Sequence, residues 1–177
     1  MVFMATRIFF LLFSLFLVQT SCKQVSNPDN SLPTTSESLF DKIVNTPTVY
    51  DSSFAKALQA DQYGMHPYVM AFLKKGPNRD QDSTTAAQLQ KAHLDNIIRM
   101  AEAGKLVLAG PFSDNGDVRG IYIFNVATVA EAQALTSTDP AIMAGRLAME
   151  LHPWYGSATL PLINPLHKRL EKTSVAK

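Results

Sequence analysis

From Tyr68 onward the chain switches between two hydrophobic periods. Tyr68-Val69-Met70-Ala71-Phe72-Leu73 is an unbroken apolar run with two aromatics, the pattern of a central strand covered on both faces. The segment Lys74 to Arg79 ends it. Leu94, Ile97, Ile98 and Ala101 then recur at helical spacing. They predict a long helix from a cap at Thr84 or Thr85 to about Ala103, stopped by Gly104. Leu106–Ala109 reads as a second strand closed by Gly110-Pro111, and Gly120–Val126 as a third, with Asn115-Gly116 marking the turn between them. Thr128 caps a second helix with Val129, Ala132 and Leu135 facing inward, and Asp139-Pro140 opens a further helical turn, Asp as N-cap and Pro at the first position. Arg146–Trp154 is the fourth strand. Alternation puts Met149 and Leu151 on one face and Glu150, His152 and Trp154 on the other. Upstream, Ser53 is placed to cap a short helix through Ala60, with Phe54 and Leu58 on one side and Gly64 at its end.

Strand, helix, strand, strand, helix, strand is the order of a ferredoxin-like α+β sandwich, whose helices lie on one side of the sheet. The Met149/Leu151 face should meet those helices. The Glu150/His152/Trp154 face is too polar for a dry core and too aromatic for plain solvent, so it should cover a partner or a wet cavity. His93 lies about 100° from Leu94 around the helix axis, on the flank of the expected buried face.

The N-terminus carries a different pattern. Ile8–Val18 is an apolar run broken only by Ser14, preceded by Arg7. It is shorter than the ~20 residues a bilayer span needs and suits a secretion signal. Cys22, the one cysteine of the chain, follows Gln19-Thr20-Ser21. Small residues before a cysteine resemble a bacterial lipobox, which makes Cys22 the expected lipidation site and leaves no thiol for disulfide or thiol chemistry. Residues 1–22 are thus read as a lipoprotein-type signal peptide and 23–52 as a flexible, Pro-interrupted polar tether. Residues 53–160 are the α+β domain, and 161–177 a tail that is a short frayed helix or a solvated end. Leu39, Phe40, Ile43 and Val44 suit a weak helical turn within the tether. The expected location is the cell envelope, on a periplasm-facing lipid anchor, with a secreted or periplasmic soluble form as the alternative.

Composition narrows the partners. With 46% hydrophobic and 18% charged residues the chain can build a core. Residues 1–22 hold one basic and no acidic residue, so the remainder is formally neutral. Neutrality argues against nucleic acid and against non-specific adhesion to anionic lipid, leaving the N-terminal anchor as the membrane link. Nothing matches a phosphate-cradling loop or a dinucleotide fingerprint. His93, Asp139, Glu150 and His152 include zinc-ligand types, but no close His or Cys spacing supports a metal, and no cofactor is expected.

Several stretches together resemble the YciI-like (YCII-related) family: Phe72 to Arg79, Lys91-Ala92-His93-Leu94, Gly104-Lys105-Leu106 running to Ala109-Gly110-Pro111-Phe112, Asp139-Pro140, and Glu150 to Trp154. The resemblance covers about residues 53–160; the leader is an addition. It implies a homodimer closing a dimeric α+β barrel, and a pocket with a histidine and an aspartate, here His93 and Asp139. It also implies varied activity, a dehydrochlorinase of a chlorinated hydroquinone among them. A carboxylate beside an imidazole holds one ring nitrogen protonated and frees the other for proton transfer. His93 is then the base and Asp139 its orienter. Arg79 or Arg119 would clamp an anionic group, and Tyr122, Glu150, His152 and Trp154 would line the pocket. The set suits an isomerase, lyase or dehydrohalogenase acting on a small molecule. The competing reading is a non-catalytic small-molecule-binding or structural dimer, in which these residues cap and connect.

Overall fold

The computed structural model of the chain describes residues 49–175. The anticipated signal peptide, Cys22 and the tether as far as Thr48, with its helical turn at Leu39–Val44, lie outside the described residues.

Four strands, β1 (Met65–Lys75), β2 (Leu106–Pro111), β3 (Val118–Phe124) and β4 (Leu147–Ser157), form one antiparallel sheet in the order β2-β3-β1-β4. A short helix α1 (Ser52–Ala57) precedes β1, and α2 (Ser83–Glu102) links β1 to β2. Helix α3 (Val129–Thr136) and the single turn α4 (Pro140–Met143) lie between β3 and β4. This is the ferredoxin-like α+β arrangement that the element order predicts.

The register decides which residues share a face. Ala71 of β1 stands opposite Tyr122 and Leu151, and Phe72 opposite Ile121 and Glu150. Val69, Ala71, Tyr122 and Phe124 therefore point to the helices, where they join Met100, Leu106 and Ala132 in the main core, with Met149 and Leu151 packed against it. Each large apolar side chain so buried contributes roughly 1.5–3 kcal/mol. On the other face Tyr68, Val107 and Ile123 make a smaller cluster with Trp154 and Leu160. Met70 and Phe72 there are only half-buried, so the two-sided coverage expected of β1 is complete on the helix side alone.

Several local expectations shift. Asp51, not Ser53, caps α1, accepting the Ser53 and Phe54 N–H groups at 2.9 Å. That helix ends at Ala57 with Phe54 exposed, and Gly64 (φ +73) serves the turn into β1. Asp82, rather than Thr84 or Thr85, caps α2: its carboxylate accepts both threonine N–H groups, at 2.9 and 3.0 Å, and the Thr85 hydroxyl at 2.7 Å. Carboxylates compete well for this position because they accept several orphan N–H groups and face the positive end of the helix dipole. Gly104 (φ +68) does follow the C-cap Ala103.

The buried line of α2 is His93, Asn96 and Met100, one residue, or about 100°, away from the apolar stripe through Leu94, Ile98 and Ala101, which are half-buried. On α3 the Thr128–Glu131 capping box forms, but Val129 is exposed while Ala132 and Thr136 are buried.

The tail holds a short helix, the first of its two expected forms, and most of its described residues are exposed. A 3-10 turn (Leu160–Leu162) leads into α5 (Ile163–Lys168). There Asn164 Nδ2 donates to the Leu106 carbonyl at 2.7 Å and pins the tail to the edge strand β2.

Candidate functional site

Asp139 does two jobs with its two oxygens. Oδ1 accepts the Ala141 N–H at 2.9 Å and so caps α4, with Pro140 in the first helical position. Oδ2 points back to α2, where His93 Nδ1–H donates to it at 2.7 Å. An ionised carboxylate only accepts, so the proton of neutral His93 sits on Nδ1 and Nε2 is left as the acceptor. Nε2 accepts the Tyr122 O–H at 3.2 Å, and the two rings stack with centroids 6.2 Å apart at 19°. Asn96, one turn along α2, sets its Nδ2 3.5 Å from the same Oδ2, too long for a strong bond. Its Oδ1 accepts from Arg99 at 2.6 Å and Thr138 at 3.2 Å. Among the described residues no buried side-chain polar atom lacks a partner.

Charge follows from this geometry. Burial alone would raise the Asp139 pKa; the His93 hydrogen bond and charge, with the Ala141 N–H, outweigh it and hold the carboxyl below its ordinary range. Asp139 is therefore an anion across the physiological range. Burial, and then the nearby Asp139 charge, push the Tyr122 phenol far upward, so it stays a neutral donor.

His93 and Tyr122 border a cavity of about 450 Å³ on the helix side of the sheet, within the range of small-molecule sites. Leu94 and Ile97 of α2 and Leu147 of β4 add apolar wall, while Arg79, Arg119 and Arg146 bring positive charge. Two loops are stitched together to bring the first and last of these arginines side by side. Gly76 N–H donates to the Arg146 carbonyl at 3.0 Å, Asn78 N–H to that of Gly145 at 2.9 Å, and Arg79 Nη1 to that of Arg146 at 3.2 Å. The approach requires glycine: a Cβ on residue 76 would lie 2.1 Å from the Gly145 oxygen, and Gly145 itself has φ +68. Arg119 is steadied by the carbonyls of Asp114 and Gly116 at 3.1 and 3.3 Å, and Arg146 by Gln81 Oε1 at 2.9 Å. Among the described residues none of the three arginines pairs with a carboxylate.

The structure thus brings together His93, Asp139, Tyr122, Arg79 and Arg119. It does not bring Glu150, His152 or Trp154 to them. These sit opposite Phe72, Met70 and Tyr68 on the far face of the sheet, because β4 alternates and gives its helix side to Leu147, Met149 and Leu151. Glu150 pairs there with Lys74 and with His152 Nε2, the latter at 2.9 Å, and Trp154 packs on Tyr68 with centroids 6.0 Å apart. The four residues weighed as zinc ligands consequently do not form one site.

Sequence reasoning missed Asn96, Arg146 and His167. Asn96 was detectable as the i+3 neighbour of His93, and Arg146 as the residue after a glycine that ends a helical turn. His167 reaches the cavity from α5, and no local pattern signals that.

No curated protein matches the chain. Among solved structures, a similar one is the 5-chloro-2-hydroxyhydroquinone dehydrochlorinase of Burkholderia phenoliruptrix in complex with 2,5-dihydroxybenzoquinone. It is 20% identical, covers 49% of this chain and 92% of its own, and has a TM-score of 0.37. A family model, the YCII-related domain, matches residues 68–154. That span runs from β1 into β4 and includes His93, Tyr122 and Asp139. It supports placing this domain among the YciI-like proteins.

Proposed function

We propose that the domain binds a small organic molecule in the helix-side cavity and carries out acid–base chemistry on it, of the isomerase, lyase or dehydrohalogenase type. The observation that carries this reading is the His93–Asp139 contact, 2.7 Å long with side chains only 6% and 1% exposed, beside a cavity of about 450 Å³. Ionised Asp139 fixes the tautomer and supports the positive charge His93 acquires when Nε2 takes a proton. The Tyr122 hydroxyl, which Nε2 accepts in the free protein, is released by that protonation. As a neutral donor it then serves a substrate oxygen on which charge develops. Arg79 and Arg119 hold an anionic group.

The assembly we propose is a homodimer joined through the half-covered sheet face around Phe72, which closes a dimeric α+β barrel. An N-terminal lipid on Cys22 tethers it to the bacterial cell envelope. The apolar run Ile8–Val18 followed by Cys22 supports the tether, and mass spectrometry of the N-terminal peptide tests it. An unmodified Cys22 in the protein purified from its membrane fraction would remove it.

A second reading, a binding module without turnover, is favoured by one observation: Asp139 already has a structural role as the α4 cap. Turnover decides between them. Chlorinated hydroquinones, unsaturated lactones and β-keto acids are offered to the full chain and to His93→Gln. A substrate turned over by the wild type and at least about 100-fold more slowly by the variant supports the acid–base reading. Equal turnover by both sinks it, and ligands bound but left unchanged favour the module.

A further inference from the structure

Beside the His93 cavity lies a second chamber of about 330 Å³, between α2, β2 and the C-terminal segment. The two share Ile97, Ala109, His167 and Val175 in their walls, so they are adjoining compartments of one groove. Their chemistry differs. The first holds Arg79, Arg119 and Arg146 and no lining carboxylate. Ile98, Ala101, Leu106 and Pro165 are the apolar wall of the second, whose charged lining residues are Glu102, Glu171 and Lys168. Glu171 is tied to Lys168 at 3.1 Å.

Resting on the small-molecule reading above, we propose that the ligand is an amphiphilic organic anion. Its acidic group sits among Arg79, Arg119 and Arg146, its reacting centre at His93 and Tyr122, and its apolar end in the chamber beneath α5.

The orientation follows from the charges. Three guanidinium groups without carboxylate partners among the described residues form one end of the groove, and an anion there is bound by charge-assisted, planar donors. At the opposite end the one lining cation among the described residues, Lys168, is already paired with Glu171, so an anion would face unpaired Glu102 without a free cation, whereas a hydrocarbon meets Ile98, Ala101 and Leu106. The same arrangement explains an oddity of α2. Its stripe through Leu94, Ile98 and Ala101 is as apolar as a core face, yet it is half-buried, because it walls this groove. The tail supplies the opposite wall: Asn164 fastens α5 to the Leu106 carbonyl at 2.7 Å, which holds Pro165 and His167 over the chamber.

The test is calorimetric titration of the full chain with butanoate, hexanoate, octanoate and 1-octanol. Affinity should rise from butanoate to octanoate by up to about fourfold for each methylene that enters the chamber. 1-Octanol should bind at least about tenfold more weakly than octanoate, and Arg146→Gln should lose a similar factor for every acid. Ala101→Phe fills the chamber and should bring octanoate down to the affinity of butanoate. Ile98→Trp, on the same wall, does the same if the first variant folds poorly. Equal affinity across chain lengths in the wild type would overturn the chamber, and octanol binding as tightly as octanoate would overturn the anionic head. Absence of binding by all three acids at millimolar concentration would overturn the ligand class. The acid–base reading, which rests on turnover in His93→Gln, would remain standing or fall separately.

Discussion

His93–Asp139 and His152–Glu150 are the same pair of functional groups on opposite faces of one sheet, with nearly equal contacts of 2.7 and 2.9 Å. Their surroundings differ in every other respect. The first pair is 6% and 1% exposed, each member holds a second partner, and the imidazole borders a cavity. The second is 49% and 45% exposed and shares its carboxylate with Lys74. Distance alone thus says little about chemistry. Where water screens the charges and both side chains can rotate away, a 2.9 Å contact is a weak surface interaction. Where a carboxylate is locked by a helix cap and cannot be rehydrated, the same contact fixes a tautomer and a charge.

The largest separation between the two pairs should come from truncation. Asp139→Ala leaves the His93 Nδ1–H and the Ala141 N–H without partners in a buried place, and should destabilise the fold by about 3–5 kcal/mol. Asp139→Asn, which still caps α4, should lose visibly less. Glu150→Ala, which removes a contact half-exposed within the subunit, should lower the thermal midpoint far less than Asp139→Ala does. Midpoints measured side by side check this; equal losses in Asp139→Ala and Glu150→Ala would erase the distinction drawn here.

Next in size is the effect of Phe72 on assembly. It lies half-buried opposite Glu150 and Ile121, at the centre of the face assigned to the second subunit. Phe72→Glu sets a second carboxylate beside Glu150 and faces it with its own copy, so the protein should change from dimer to monomer in sedimentation analysis. A monomeric wild type would remove the barrel. Leu94→Glu, on the helix side, should leave the oligomeric state as it was.

Both faces were legible in the sequence to different depths. The element order and the alternation of Met149 and Leu151 against Glu150 and His152 are period-2 facts, and the sheet obeys them. The buried face of α2 departs from the predicted stripe because hydrophobic periodicity assumes that the buried line is apolar. Here that line includes His93 and Asn96, whose burial depends on Asp139 and Thr138, brought in from elsewhere in the chain, and on Arg99, one turn along the same helix. The expectation that Glu150, His152 and Trp154 line the pocket of His93 conflicts with their own alternation against Met149 and Leu151, and the pairing register bears the alternation out: the sheet stands between them. Arg146 joins the cavity through loop stitching, with only the preceding Gly145 as a local signal, and His167 through tail packing, which no local signal carries.

The smallest effect, and the one that addresses charge directly, is acid sensitivity. Asp139 has its folded pKa held below the unfolded value by His93 and the Ala141 N–H, against the opposing pull of burial. A depressed carboxyl binds fewer protons when folded than when unfolded. Its contribution is therefore complete above the unfolded pKa, about 3.9, and is lost as pH falls through the lower folded value. Denaturation midpoints should be flat with respect to this group down to about pH 5 and fall below about pH 4. Asp139→Asn, which cannot titrate, should start lower and fall less steeply. The Glu150 carboxyl is also depressed, first by its hydrogen bond to Lys74 and then by His152, but the groups in both contacts are 42–49% exposed within the single subunit. Glu150→Gln should leave the slope of the acid limb close to that of the wild type. If instead Glu150→Gln flattened that limb and Asp139→Asn did not, acid stability would be governed from the far face of the sheet, and the Asp139 charge would have to be held by something other than its folded partners.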